Sequence, residues 1–198
     1  MIHVYLTHFE QPEKMKHTFE HKVGLGLLSQ ALADLYQIQI PAEVLDEHLG
    51  KNVYGKPYLK DYPQIHFNIS HGKDIAICAI SNEPVGADVE KIHDFNPLIL
   101  RKVLTDTEKE FFDSLPEDEK ETWFYRFWTL KEARIKHAGM GLSMSLTSFS
   151  FHFDLEKEPY HIQCSDTDVY FKQLILEKQY VLSLCSKNHR TELDLTWL

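Results

Sequence analysis

Asp88 and Glu90 are two residues apart in Val85-Gly86-Ala87-Asp88-Val89-Glu90. On a β-strand that spacing aims both carboxylates the same way. Like charges so close repel unless a cation or a proton lies between them. Oxygen ligands of this kind suit Mg²⁺ or Mn²⁺ rather than zinc. Taken alone, the pair also fits a solvated strand face beside a turn.

A second group lies in Trp128-Thr129-Leu130-Lys131-Glu132-Ala133-Arg134-Ile135-Lys136. Glu132 and Lys136 are i, i+4 neighbours and share a helix face with Trp128. An ordinary helical ion pair explains them, yet an acid flanked by two lysines is also what a metal–diphosphate site requires. A third group, Asn68-Ile69-Ser70-His71-Gly72, ends a strand at a glycine turn and offers hydroxyl, imidazole and backbone N–H groups to an anion. His17-Thr18-Phe19-Glu20-His21 matches the H-x-x-E-H zinc-hydrolase pattern. Twelve histidines in the chain make chance matches expected, and its polar setting shows no third ligand.

These residues need elements to hold them. Ile2 to Leu6 alternates as a first strand, and residues 65–70, 75–81 and 85–90 read as three more. Apolar spacing through Leu25, Leu28, Ala31 and Leu35 predicts a helix ended before Pro41. Val44 to Leu49 reads as a short helix ended by Gly50. Asp106 or Thr107 is expected to cap a helix over Phe111 and Phe112. Asp118 and Glu121 resemble a capping box opening a long helix to Gly139. Phe149 to Phe153, Ile162, Val169 to Phe171 and Val181 to Cys185 supply further strands. The tail from His189 to Leu198 reads as loosely held. Strands and helices alternate without a βαβ rhythm, so the fold class is α+β. The break between halves falls near Asn82 to Val85, giving residues 1–84 and 85–198, with no internal sequence repeat.

The chain has 198 residues, 43% of them hydrophobic, enough for a real core. Its net charge of −9 argues against nucleic acid or an anionic membrane as partner. No apolar run is long enough to span a bilayer, and the first residues lack a secretory leader. Cys78, Cys164 and Cys185 are odd in number and far apart, as in reduced cytoplasmic thiols.

The order of the motifs is more specific than any one of them. Gly55-Lys56-Pro57, Phe67-Asn68-Ile69-Ser70-His71, Val85-Gly86-Ala87-Asp88-Val89-Glu90-Lys91 and Phe127-Trp128-Thr129-Leu130-Lys131-Glu132-Ala133 with Lys136 together resemble the 4′-phosphopantetheinyl transferases. The length resembles the surfactin-synthetase-activating type. The resemblance implies two similar α+β halves about a pseudo-twofold axis, with coenzyme A as co-substrate in the cleft between them. It implies transfer of 4′-phosphopantetheine to a serine of an apo acyl or peptidyl carrier protein by a monomeric enzyme, releasing 3′,5′-ADP. Asp88, Glu90 and Glu132 would hold Mg²⁺, with Mn²⁺ an alternative. Lys136, assisted by Lys131, would neutralise the leaving group, and Glu132 or Glu108 would be the base. Ser70 and His71 would meet phosphate, Lys56 and Pro57 would border the adenine, and Lys22 would join His71 at the 3′-phosphate. Lys22 stands where the family usually has Arg, a point charge in place of a fork. The segment from Gly139 to Phe151, with Met140, Leu142, Met144 and Leu146, is either carrier-docking surface or core. The competing readings are a zinc hydrolase built on His17, Glu20 and His21, and a coenzyme A binder without catalysis.

Overall fold

The computed structural model describes the chain apart from residues 13, 15, 158–160 and 189–191 and the side chain of Leu142. Its elements run β1 (Ile2–His8), α1 (Lys16–Tyr36), β2 (Leu49–Lys51), β3 (Pro57–Leu59), β4 (His66–His71), β5 (Ile75–Ser81) and β6 (Val85–Lys91). Then follow α2 (Leu100–Val103), α3 (Asp106–Asp113), α4 (Lys120–Ala138), β7 (Phe151–Asp154), β8 (His161–Cys164), β9 (Tyr170–Leu176), β10 (Tyr180–Ser186) and β11 (Leu193–Trp197).

Alternation along the strands builds the layers. Val4 and Leu6 of β1 and Ile77 of β5 point to one side and pack against Val85, Ala87 and Val89 of β6 and Leu182 of β10. The intervening residues point the other way. Tyr5, Cys78 and Ile80 meet Leu25, Leu28 and Leu32 of α1. In the second sheet Gly86, on the alternate face, lies against α4. The result is four layers, helix–sheet–sheet–helix, as two-faced sheets with separate periodicities require.

The two halves share one topology. In the first, β1 is followed by α1 and the β4–β5 hairpin, and β5 returns antiparallel to β1. In the second, β6 is followed by α4 and the β9–β10 hairpin, and β10 returns antiparallel to β6. The sheet orders are β11-β1-β5-β4 and β6-β10-β9. Edge strands β4 and β6 meet where the halves join. There the Asn68 side chain accepts from the Ala87 N–H at 2.7 Å, satisfying an edge donor.

Several expectations need correcting. Thr105, not Asp106 or Thr107, caps α3, in a capping box with Glu108. α4 begins at Lys120 after a 3₁₀ turn, without a side-chain cap. Residues 45–48 form a 3₁₀ turn, and Gly50 lies in β2. Most of the tail is ordered: Leu193–Trp197 pairs parallel with β1, while residues 189–191 lie outside the described set. Among the described residues, no helix is long and apolar enough to cross a membrane.

Candidate active site

The strand pleat sends Asp88 and Glu90 toward α4, where Glu132 and Lys136 occupy one face a turn apart. Asp88 is 3% exposed. Its Oδ1 accepts from Ser70 Oγ at 2.7 Å and from Lys136 Nζ at 2.6 Å. Lys136 Nζ also donates to Ser70 Oγ at 2.8 Å, closing a triangle across the two halves. Asp88 Oδ2 is buried and has no hydrogen-bond partner among the described residues. Such an orphan is costly unless something charged is meant to meet it.

The neighbouring acids report the same unbalanced charge. Burial, and then the Asp88 charge, push Glu90 up to about 7, while Lys136 and a bond from Trp128 pull the other way. Burial and Asp88 likewise raise Glu132, against Lys136. A hard divalent ion among buried acids of this kind would favour their ionised forms. Among the described residues no group of three or more His, Cys, Asp or Glu is arranged so that it could hold a metal ion as it stands. The Lys136 ammonium supplies the counter-charge at Asp88.

Glycine permits this proximity. A Cβ on Gly86 would lie 2.0 Å from the Ala133 carbonyl oxygen and 2.4 Å from the His137 nitrogen, so α4 lies directly on β6. Beside the triad a cleft of about 340 Å³ opens between the β2–β3 tip and the end of α4. Lys56, Pro57, Asn68, Glu132, Lys136 and Met144 line it.

Lys131, expected beside the leaving group, and Glu108, a candidate base, are elsewhere. Lys131 and Glu108 form an ion pair at 2.7 Å with both side chains wholly buried. Lys131 also donates to the Leu146 and Phe149 carbonyls, and Glu108 accepts from the Phe151 N–H. One residue along a helix is about 100° of rotation, so Lys131 leaves the Glu132 face and ties down the loop after α4. Glu108 is thereby withdrawn as a base. Lys56 is in the cleft, but its ammonium turns inward to the carbonyls of Lys136 (2.6 Å), Val85 (3.2 Å) and His137 (3.4 Å). It thus satisfies carbonyls at the end of α4 and joins the halves. Lys22 stands exposed on α1.

The zinc arrangement does not form. His21 turns to Asp46 at 2.9 Å, and the His17 side chain is 95% exposed. His71 is the last residue of β4, its Nδ1 3.7 Å from Glu20 Oε2. The segment after Gly139 divides: Met140 is exposed, while Met144 and Leu146 pack partly against the second core. The Leu142 side chain lies outside the described set. Trp128 and Asn68 contribute more than their motifs suggested; the signals were their positions, i−4 from Glu132 and i−2 from Ser70.

The halves of this α+β fold meet at a cleft bordered by Lys56, Glu132 and Lys136, beside the buried Asp88. The family model of the 4′-phosphopantetheinyl transferase superfamily matches residues 84–185. A 4′-phosphopantetheinyl transferase from Bacillus subtilis is 32% identical over 190 residues, covering 89% of this chain and 80% of its own. The 4′-phosphopantetheinyl transferase Sfp of Bacillus subtilis (strain 168) is 30% identical over 95% of this chain and 87% of its own. The 4′-phosphopantetheinyl transferase gsp of Aneurinibacillus migulanus is 36% identical over 63% and 52%. The chain belongs to the 4′-phosphopantetheinyl transferase superfamily and is an enzyme of the surfactin-synthetase-activating type.

Proposed function

We propose that the chain transfers 4′-phosphopantetheine from coenzyme A to a serine of an apo acyl or peptidyl carrier protein, releasing 3′,5′-ADP, with Asp88, Glu90 and Glu132 as the residues that would hold Mg²⁺. The observation that carries this assignment is the buried, unpartnered Asp88 Oδ2 beside two acids whose protonation is favoured. Bound there, the ion supplies charge neutralisation to the donor's diphosphate.

The protein's own groups do the rest. Ser70 and His71 meet donor phosphates at the mouth of the cleft. Lys136 leaves Asp88 for the developing charge on the departing phosphate oxygen. With Glu108 withdrawn and Glu132 committed to the cation, which depresses its basicity, solvent water receives the serine proton. The serine oxygen forms the new bond to phosphorus as the bond to 3′,5′-ADP breaks. Residues 1–84 and 85–198 supply one site together, so a monomer suffices.

Incubation with coenzyme A, Mg²⁺ and an apo carrier adds one phosphopantetheine by intact mass. Asp88→Ala and Glu132→Gln abolish the addition. Unchanged transfer by either variant refutes the assignment.

A further inference from the structure

Glu20 is an acid buried on α1, 2% exposed. A buried carboxylate requires compensation, and this one has a divided set of partners. Gln11 Nε2 donates to its Oε1 at 2.8 Å, and Lys16 Nζ lies 3.6 Å from the same oxygen. On Oε2, His17 Nδ1 approaches to 3.5 Å and His71 Nδ1 to 3.7 Å. The one short bond comes from a neutral amide. The three potential cations stand at ion-pair range, beyond hydrogen-bond length. Lys16 and His17 are largely exposed, and His71 is 41% exposed at the end of β4.

Of the two ring nitrogens of His71, it is Nδ1 that stands nearer the carboxylate, at 3.7 Å, and Nε2 lies on the far side of the ring. A carboxylate behind an imidazole fixes ring orientation and favours a proton on the nitrogen it faces. We infer that Glu20 is a positioning residue: it holds His71 with Nδ1 inward and Nε2 toward the donor's 3′-phosphate, and so sets the preference for coenzyme A over 3′-dephospho-coenzyme A. The inference rests on the transferase reading.

The charges around His71 pull in both directions. Burial lowers its pKa, as do Lys136 on α4 and His17 on α1. Glu20 on α1 opposes them, and Asp88 on β6 does so to a smaller extent. Glu20 therefore keeps the ring cationic to higher pH than it would otherwise be.

The test uses Glu20→Gln, a near-isosteric change that still accepts the Gln11 bond. Initial rates are measured for wild type, Glu20→Gln, His71→Ala and the double variant, with both donors and one apo carrier. The ratio of kcat/KM for coenzyme A to that for 3′-dephospho-coenzyme A falls about tenfold in Glu20→Gln, as for outer-shell partners of ligating imidazoles. The pH at which KM for coenzyme A rises moves down in that variant. His71→Ala collapses the ratio at least as far, and adding Glu20→Gln to it causes no further fall. An unchanged ratio in Glu20→Gln overturns the inference. So does an equal fall in the His71→Ala background, which would assign the effect to Lys16 or His17. A wild-type protein that transfers from neither donor refutes the underlying reading itself.

Discussion

Replacing Gly86 by alanine tests how the fold sets the site. The new methyl would lie 2.0 Å from the Ala133 oxygen, 2.4 Å from the His137 nitrogen and 2.7 Å from His137 Cβ. The two nearest atoms are helix backbone, so no rotamer change relieves the contact. Ordinary separation requires β6 and α4 to move apart by roughly 1 to 1.5 Å at this point. The residues adjacent to the clash are Glu132, beside Ala133, and Lys136, beside His137. The 2.6 Å bond from Lys136 to Asp88 cannot survive a displacement of that size. Overpacking alone costs about 1–3 kcal/mol, a fall of roughly 3–10 °C in Tm for a chain of this length. Misplacing catalytic groups by about 1 Å costs on the order of 100-fold in rate. Differential scanning calorimetry and single-turnover transfer to an apo carrier, run below the variant's Tm, read the two effects separately. A Gly86→Ala protein with wild-type Tm and wild-type rate refutes the argument that close approach of β6 and α4 places the acids.

Three further outcomes are expected. Gly26, inside α1, has open space where a Cβ would go; Gly26→Ala stabilises by about 0.4–1 kcal/mol through lost chain entropy, measured as a raised denaturant midpoint at unchanged slope. Lys131→Met leaves Glu108 buried and uncompensated, costing about 3–5 kcal/mol; adding Glu108→Leu recovers only part of the loss, because the backbone groups of Thr105, Phe151, Leu146 and Phe149 lose partners. Neither ring nitrogen of His137 has a hydrogen-bond partner among the described residues, and burial, then Lys56 and Arg134, lower its pKa to about 4. The unfolded chain binds that proton near pH 6.5 and the folded chain only near 4, so stability falls as pH drops through this window, by up to about 3 kcal/mol. His137→Asn flattens the loss; equal pH slopes for the two proteins refute the assignment.

The strands that carry the site were legible because each alternates locally. Residues 66–71 and 85–91 show their pleat in the sequence, and the i, i+2 acids follow from it, while 75–81 is apolar on both faces and reads as a buried central strand. The Glu132–Lys136 pair was legible from helix spacing. The destination of Lys131 was also readable, since one step along a helix leaves the face. So was that of Glu108, since Thr105-Asp106-Thr107-Glu108 has the spacing of a capping box; the resemblance drew Lys131 toward the leaving group and Glu108 toward the serine proton. The turn of Lys56 toward α4 was not readable, because its acceptors lie 29 to 81 positions away. β11 was missed because its partner is β1, 191 positions distant at each pair, although Leu193 and Leu195 alternate as strand residues should. α1 was placed too late because its first turns are polar; only the fold shows that Glu20 turns inward.

The repeated topology without a repeated sequence has a physical reason. Both halves must bring a helix onto a sheet, and each uses a glycine, but on opposite partners. In the first half it is Gly24 of α1, where a Cβ would meet Ile69 Cγ2 at 2.5 Å. There the strand supplies apolar bulk and the contact is core. In the second half it is Gly86 of β6, and the strand's next two residues on that face are Asp88 and Glu90. The apolar face between the sheets is common to both halves and holds them together, which leaves the α4 face of β6 free to carry charge. A Val at 88 or 90 would pack well on stability grounds alone. Acids there make sense only because the adjacent edge strand β4 brings Ser70, and α4 brings Lys136, to a carboxylate whose second oxygen stays open. Asymmetry between otherwise matching halves thus marks the chemistry, and it predicts that apolar substitution at Asp88 removes transfer while sparing the fold.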